Sequence, residues 1–210
     1  MDFDLTIIGS GPGGYVAAIR GAQLGLKVAI VEREALGGIC LNWGCIPTKS
    51  FLRSAEVLKI IEGSEKYGIK SKLGDIDIHE VVKRSRSIAK KLSSGVKYLL
   101  NKNKVKIFAG EASFKNSKSV RIIDKNNVVK EITSKNICIA SGGRPREISG
   151  IANSNNVWFY KEALQVDKIP NKLLVVGSGA IGVEFASFFA QMGSDVSLLE
   201  SKPTILPNED

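Results

Sequence analysis

Apolar and polar residues alternate along the chain with two different periods. Two short apolar runs, residues 4–9 and 27–32, predict buried parallel strands. Residues 47–62 and 77–103 carry apolar positions at helical spacing and predict helices. Residues 105–134 alternate apolar and polar positions, which predicts an antiparallel β-meander. Strands and helices that alternate in this way, with a meander added, indicate an α/β protein.

The segments around the meander suggest how the chain divides into domains. Asp124–Asn127 is predicted to form a hairpin turn, and residues 136–141 a strand that returns to the first sheet. Residues 143–171 are rich in Gly, Pro and Asn and indicate a crossing to a second domain. We therefore predict a first domain over 1–149, with the meander as an insertion, and an incomplete second domain over 150–210.

The chain contains an internal repeat. Residues 5–32 align with residues 173–200 at a constant offset of 168, and 11 of the 28 aligned positions are identical. Each copy has the pattern of a strand, a glycine turn, a helix and a second strand that ends in glutamate, which is a β-α-β unit. We therefore expect two Rossmann-like nucleotide-binding units, the second of them only begun here.

Each repeat carries a dinucleotide-binding fingerprint. The spacing Gly-x-Gly-x-x-Gly is present as Gly9, Gly11 and Gly14, and again as Gly177, Gly179 and Gly182. The first glycine makes a tight turn, the second lets the backbone approach a pyrophosphate, and the third lets helix and strand pack closely. Glu32 and Glu200 each lie 18 residues beyond the third glycine, where a carboxylate binds ribose hydroxyls and disfavours a 2′-phosphate. Two dinucleotide sites on one chain imply electron transfer between them or to a third redox group.

A pair of cysteines between the fingerprints is the candidate for that third group. Cys40 and Cys45 are five residues apart, and on a regular helix their Cα atoms would be roughly 8–9 Å apart, too far for a disulfide. Three glycines loosen the segment and permit a bent turn: Gly37, Gly38 and Gly44. Pro47 suits the first position of the helix that follows. The positive end of that helix favours thiolate chemistry.

Three other residues near this chemistry need a separate interpretation. Lys49 places a cation in the first turn of a helix, against the helix dipole, which indicates a functional partner, either a carboxylate or an electron-rich ring. Cys138 lies in an apolar strand, and we expect it to be buried and inert. His79 is the single histidine, and it is far in sequence from the cysteine pair, so we do not assign it as a base.

Composition narrows the class of protein further. The 210 residues are 43% hydrophobic and 24% charged, which is typical of a soluble globular protein and excludes disorder and coiled coil. No apolar run approaches 18 residues, so we expect no membrane span. Three cysteines and an acidic N-terminus without a signal peptide predict a reducing compartment. We expect the bacterial cytoplasm, or the mitochondrial matrix for a processed eukaryotic protein.

The net charge of +9 comes almost entirely from one segment. Between His79 and Lys106 there are nine Lys or Arg residues against the single acid Glu80, which leaves +8. Tyr98 is the one aromatic residue among them, so stacking on nucleic-acid bases has little support. We interpret the segment as an amphipathic helix with a solvated basic face, and we expect no nucleic-acid partner.

The sequence GGICLNWGCIPTK, between two dinucleotide fingerprints, resembles the flavin-dependent disulfide reductases, and most closely their branch that acts on dihydrolipoamide. The resemblance implies FAD on the first fingerprint, NAD on the second, and an active disulfide beside the flavin. It implies oxidation of dihydrolipoamide to lipoamide, with electrons passing through the disulfide and FAD to NAD⁺. The implied partners are a second copy of the full-length chain and a lipoyl domain of a 2-oxo acid dehydrogenase complex.

The same resemblance implies roles for individual residues. Cys40 would exchange with the substrate, Cys45 would lie next to the flavin, and Lys49 would lie near the reactive edge of the flavin and pair with Glu184. The positions implied to contact FAD are Gly9, Ser10, Gly11, Pro12, Gly13, Gly14, Glu32, Arg33, Gly38, Cys40, Lys49, Gly110, Ala112, Ala140, Ser141 and Gly142. Those implied to contact NAD are Gly177, Gly179, Ala180, Ile181, Gly182, Glu184 and Glu200. No metal ligand is predicted.

Two alternatives remain open at this point. Glutathione and mercuric reductases share the cysteine spacing but usually use NADPH, and Glu200 argues against that cofactor. A non-catalytic nucleotide-binding fragment is the other alternative, because the family's chains extend well beyond this length. Their remaining part carries a catalytic His–Glu pair, so we expect this chain alone to be inactive.

Overall fold

A computed structural model describes residues 1–146, 148, 150 and 154–207. The chain forms two compact units, one made of residues 1–45 and 89–151 and the other of residues 46–88 and 152–210. Each unit is therefore assembled from two separate stretches of sequence. The domains predicted over 1–149 and 150–210 are defined by nucleotide binding rather than by packing, and they remain a prediction.

The first unit contains a six-stranded mixed sheet. Its strands are β1 (Phe3–Ile8), β2 (Val28–Glu32), β3 (Lys106–Ala109), β4 (Glu111–Asn116), β5 (Ser119–Ile123) and β6 (Val129–Ile139), in the order β3-β2-β1-β6-β5-β4. Strands β3, β2, β1 and β6 are parallel, and helix α1 (Pro12–Gln23) connects β1 to β2. This arrangement confirms the predicted α/β class with a Rossmann-like first repeat.

Strand β6 joins the meander to the parallel sheet without a break. The sequence predicted an antiparallel meander over 105–134 and a strand over 136–141 that returns to the first sheet. The return is confirmed by the pairing of β6 with β1, but the division between the two elements was wrong. The meander also begins later than predicted, because β3 pairs parallel with β2. The first half of β6 pairs antiparallel with β5, and its second half pairs parallel with β1. No Gly or Pro interrupts residues 129–139, so one strand pairs with both the parallel and the antiparallel part of the sheet. The predicted turn is present, with the Asn127 N–H donating to the Asp124 carbonyl over 3.0 Å.

Between β2 and β3 lie the α-helices α2 (Gly38–Trp43), α3 (Cys45–Glu62) and α4 (Ile78–Lys102), with a 3-10 helix over Ser64–Tyr67 between α3 and α4. The predicted bounds of α3 and α4 differ from these by two residues or fewer. Helix α2 was not predicted, and α3 begins at Cys45 rather than at Pro47. Gly44 separates α2 from α3, and this break replaces the irregular turn that the sequence suggested.

Helix α4 has the two faces that its sequence pattern predicts. Ala89, Val96 and Leu100 are buried, whereas Lys91 and Lys102 on the opposite face are exposed. The Asp77 carboxylate accepts hydrogen bonds from the first turn of α4 and caps its N-terminus. No helix in the described part of the chain is long and apolar enough to cross a membrane.

The second unit contains the second repeat. Strands β7 (Lys172–Val176) and β8 (Asp195–Leu199) are parallel, and helix α6 (Ala180–Gln191) connects them. A short helix α5 (Tyr160–Ala163) lies within the segment predicted as a crossing. The core is aromatic: Phe51, Phe188 and Phe189 are fully buried, and the Phe51 and Phe188 ring centroids are 4.6 Å apart. Helix α3 is therefore part of this core.

Candidate active site

The first and third glycines of the first fingerprint are required by the protein's own packing. Gly9 has φ +98°, and a Cβ there would lie 2.3 Å from the Ala140 carbonyl oxygen. A Cβ at Gly14 would lie 2.0 Å from the Gly9 carbonyl oxygen. No side chain fits at either position, because neighbouring backbone already occupies the space.

The second fingerprint repeats the left-handed turn at the first glycine and the close contact at the third, but a Cβ at Gly177, unlike one at Gly9, would meet no described atom within 4 Å. Gly177 has φ +99°, and a Cβ at Gly182 would lie 2.0 Å from the Gly177 carbonyl oxygen. The sequence repeat is thus a structural repeat at the level of individual backbone contacts. It supports the same role for both loops.

The middle glycines differ, since nothing in the protein requires them. Gly11 has φ −62° and Gly179 has φ −66°, values that any residue adopts, and no described atom lies within 4 Å of a Cβ at either. Each precedes the first turn of a helix whose N-terminal N–H groups have no side-chain cap among the described residues. Open space beside N–H groups at a helix N-terminus fits the pyrophosphate of a dinucleotide.

The glutamates at the ends of β2 and β8 hold these loops. Glu32 Oε2 accepts hydrogen bonds from the Ser10 N–H (2.9 Å) and Oγ–H (2.7 Å). Glu200 Oε2 accepts the equivalent two bonds from Ser178, both 2.8 Å. Ribose binding by the two carboxylates stays a prediction, whereas their bonds to the glycine loops are in the structure. Ser178 was missed by the sequence reasoning, although its identity to Ser10 in the aligned repeat was a signal.

Hydrogen bonds keep the Glu200 carboxylate ionised. The Ser178 and Lys202 backbone N–H groups, followed by the Ser178 hydroxyl, lower the pKa of Glu200 from 4.5 to about 2. Because the pKa is lower in the folded state, this group's contribution to stability is complete above about pH 4.5 and is lost as the pH falls towards 2.

We expect Glu200→Gln to flatten the acid side of the stability profile. The substitution removes the group whose protonation costs stability between pH 4.5 and about 2. Urea unfolding midpoints measured across this range for the wild type and the variant test the prediction. Glu65→Gln makes the same charge change at an exposed position in the second unit and is the control. Equal slopes for wild type and Glu200→Gln would contradict the assignment.

The cysteine pair lies at the junction of α2 and α3. Cys40 is half-buried on α2, and Cys45 is exposed at the start of α3. A Cβ at Gly44 would lie 3.2 Å from the Ile39 carbonyl oxygen and 3.4 Å from the Cys40 Cα, so the bend is tightly closed. Cys138 was predicted to be buried but is half-buried, because β6 leaves part of its side chain accessible.

Hydrogen bonds anchor the segment that carries the cysteines. The Leu36 carbonyl accepts from Ser93 Oγ on α4 (2.8 Å) and from Asn42 Nδ2 (3.0 Å). Asn42 Nδ2 also donates to the Gly38 carbonyl over 2.9 Å. No sequence motif pointed to Ser93 or Asn42, because their partners are backbone carbonyls.

Lys49 and Glu184 form an ion pair in the structure. Lys49 lies one turn after Cys45 on α3, and its Nζ donates to Glu184 Oε1 on α6. The sequence resemblance predicted this pair, and the structure brings the two side chains together. The Lys49 side chain is 61% exposed, so the pair contributes little stability, about 0–1 kcal/mol.

We expect Lys49→Ala to reduce turnover much more than stability. Turnover should fall at least about tenfold if the ammonium group assists the reaction, while the free energy of unfolding changes by less than about 1 kcal/mol. The matched control is Arg53→Ala, which breaks the exposed Arg53–Glu56 pair on the same helix. Steady-state turnover and urea unfolding of both variants are the measurements. Equal loss of turnover in both would remove Lys49 from the candidate site.

The other predicted FAD positions lie after the C-terminal ends of parallel strands. Gly9 follows β1, Gly110 follows β3, and Ala140 follows β6, with its N–H donating to the Ile8 carbonyl over 2.8 Å. Ligands of open α/β sheets bind at this edge. Arg33 likewise follows β2, and its Nη1 lies 3.9 Å from a Glu111 carboxylate oxygen. Ala112 differs from that pattern, because it packs against the core from β4.

The first unit therefore offers one edge at which a glycine loop and the cysteine pair meet. In the described part of the chain, no group of three or more His, Cys, Asp or Glu side chains could hold a metal. The chemistry available to the protein's own residues is thiol exchange beside a dinucleotide loop.

Comparison with known proteins identifies the family. Residues 3–210 match the family described as pyridine nucleotide-disulphide oxidoreductase. The chain belongs to that family. A dihydrolipoyl dehydrogenase of Zymomonas mobilis is 51% identical over 209 residues, covering 99% of this chain and 45% of that protein. A dihydrolipoyl dehydrogenase of Rhizobium etli is 50% identical over 226 residues, covering 99% of this chain and 47% of that protein.

A solved structure supports the fold of this pyridine nucleotide-disulphide oxidoreductase. The HOCl-induced flavoprotein disulfide reductase RclA from Escherichia coli matches with a TM-score of 0.82 and 30% identity, covering 99% of this chain and 44% of that one. The chain thus spans about half the length of the relatives it matches. Membership of this oxidoreductase family implies FAD and NAD(H) as cofactors, in agreement with the sequence prediction.

Proposed function

We propose that the full-length protein, of which this chain carries the dinucleotide loops and the cysteine pair, oxidises dihydrolipoamide to lipoamide, with NAD⁺ as the final electron acceptor. The observation that carries this proposal is the repeated dinucleotide loop, with a cysteine pair at the junction of two helices after the first copy. FAD, when bound, supplies a two-electron carrier between the thiols and the nicotinamide. The similarity to dihydrolipoyl dehydrogenases over the whole chain supports the choice of substrate.

The two cysteines provide the thiol chemistry. In the oxidised protein, one thiolate of dihydrolipoamide attacks the sulfur of Cys40, which breaks the Cys40–Cys45 disulfide and releases Cys45 as a thiolate. The second substrate thiolate then attacks the sulfur that is bound to Cys40. This step releases lipoamide as a disulfide and leaves both cysteines reduced. The exposed position of Cys45 and the half-buried position of Cys40 flank the bend at Gly44.

The second repeat provides the preference for NAD⁺. The ionised Glu200 carboxylate lies at the end of β8, where a 2′-phosphate of NADP⁺ would meet a like charge. We propose further that the full-length protein is a homodimer that works with the lipoyl domain of a 2-oxo acid dehydrogenase complex. A cytoplasmic location is part of the same proposal.

Reduction of a different disulfide is the second candidate function. The similarity to the E. coli flavoprotein disulfide reductase, at 30% identity, favours it. In that case electron transfer through the cysteine pair is reversed, and electrons pass from a reduced pyridine nucleotide to the external disulfide.

The experiment that tests the proposal compares substrates in the flavin-loaded protein. Without oxygen, dihydrolipoamide should bleach the visible flavin absorbance, and NAD⁺ should restore it faster than NADP⁺ does. Glutathione and dihydrolipoamide are compared at equal thiol concentration. Bleaching by glutathione alone would favour the second candidate, and bleaching by neither thiol would overturn the first. Failure of NADH and NADPH to bleach the flavin would overturn the second.

A further inference from the structure

Ser10 connects the first dinucleotide loop to the segment that carries the cysteines. The side chain is fully buried, and its Oγ–H donates to Glu32 Oε2 over 2.7 Å. The Gly37 N–H in turn points at both oxygens of Ser10, at 3.0 Å from the carbonyl and 3.3 Å from Oγ. A continuous hydrogen-bond chain therefore runs from Gly37 through the Ser10 hydroxyl to the Glu32 carboxylate.

The segment that begins at Gly37 leads directly to Cys40. Gly37 and Gly38 have φ values of +94° and +61°, and helix α2 starts at Gly38. A Cβ at Gly38 would lie 2.6 Å from the Gly11 Cα, so backbone packs against backbone with no side chain between. A shift of the loop at Ser10 therefore displaces the start of α2, because the two backbone segments are in direct contact and no flexible side chain lies between them to absorb the movement.

The second repeat contains the same serine without the cysteines. Ser178 makes the equivalent two bonds to Glu200, and its carbonyl accepts the Leu206 N–H over 3.0 Å. The Leu206 N–H thus bonds the Ser178 carbonyl as the Gly37 N–H bonds the Ser10 carbonyl, and residues 201–207 contain no cysteine. Ser178 is therefore a matched internal control for any role of Ser10 that concerns the cysteines.

We propose that Ser10 is a positioning residue that couples the Glu32 carboxylate of the first dinucleotide site to the redox segment, residues 37–45. The serine does not react. Its hydroxyl holds the Gly37 N–H and the carboxylate in one fixed arrangement, so the dinucleotide loop sets the position of Cys40. The expected effect of Ser10 on turnover rests on the proposed function, whereas the hydrogen bonds that define its positioning role involve only this chain's own residues.

The test compares Ser10→Ala, Ser10→Thr and Ser178→Ala by hydrogen exchange and by kinetics. In Ser10→Ala, amide exchange in residues 37–45 should accelerate at least about tenfold, because Gly37 loses one acceptor and Glu32 one donor. Ser178→Ala should leave exchange in this segment unchanged. Ser10→Thr keeps the hydroxyl and should restore slow exchange.

Kinetics separate positioning from a general loss of structure. Ser10→Ala should lower kcat for dihydrolipoamide about tenfold with little change in the KM for NAD⁺. If Ser10→Ala does not retain FAD, exchange is compared between the flavin-free wild type and the flavin-free variant. Exchange in residues 37–45 that is the same in Ser10→Ala and Ser178→Ala would overturn the inference. Absence of dihydrolipoamide turnover in the full-length wild-type protein would instead overturn the proposed function, and the exchange comparison would still stand.

Discussion

Cys45→Ser should reduce dihydrolipoamide turnover by at least about 1,000-fold, because a serine hydroxyl cannot form or break a disulfide. The protein itself should remain folded. Cys45 is exposed at the first position of α3, and serine differs from it by one atom, so we expect a stability change within about 0.5 kcal/mol. Steady-state turnover and urea unfolding are measured on the same preparation.

The remaining thiol makes this prediction sharper. In Cys45→Ser, Cys40 can still form a mixed disulfide with one substrate thiol, but no neighbouring thiol is present to complete the cycle. Mass spectrometry of the non-reduced protein should show this adduct on Cys40 after exposure to lipoamide and dihydrolipoamide together. Cys138→Ser, at a half-buried position in β6, is the control and should retain turnover within about twofold. A Cys45→Ser variant with more than a tenth of wild-type turnover would remove Cys45 from the reaction.

The sequence predicted both dinucleotide loops because their constraints are local. The third glycine of each fingerprint is excluded from carrying a side chain by the carbonyl of the first, five residues earlier in the chain. The spacing of the first and third glycines in the sequence therefore indicates this backbone contact directly. The offset between the repeats extends this information, since the Ser178–Glu200 bonds reproduce the Ser10–Glu32 bonds.

Other features could not be predicted because their partners are distant in sequence. Helix α2 is only six residues long, and it is held by the Leu36 carbonyl's bond to Ser93, which no local pattern encodes. Phe51 packs against Phe188, which lies in a separate stretch of sequence. The periodicity of the sequence therefore did not show which segments form the second unit. The Lys49–Glu184 pair spans 135 residues, and only the family resemblance indicated it.

Gly14→Ala should lower the stability of the protein, whereas Gly11→Ala should lower its affinity for FAD, although each substitution adds one methyl group to the same loop. At Gly14 the methyl carbon would lie 2.0 Å from the Gly9 carbonyl oxygen, so the loop or helix α1 has to move. We expect a loss of at least about 2–3 kcal/mol in the free energy of unfolding, the scale of an overpacked core. Gly182→Ala should lose a similar amount, because its Cβ would meet the Gly177 oxygen at the same distance.

At Gly11 the methyl group has room in the protein but not beside a bound pyrophosphate. The φ of −62° suits alanine, and no described atom lies within 4 Å, so unfolding of the flavin-free protein should change by less than about 1 kcal/mol. FAD affinity should fall at least about 100-fold, equivalent to about 2.8 kcal/mol. Equilibrium dialysis with FAD and urea unfolding without it measure the two effects separately. Tight FAD binding by Gly11→Ala would show that the phosphates do not approach this position, and an equal loss of stability in both variants would show that the middle glycine serves packing rather than the ligand.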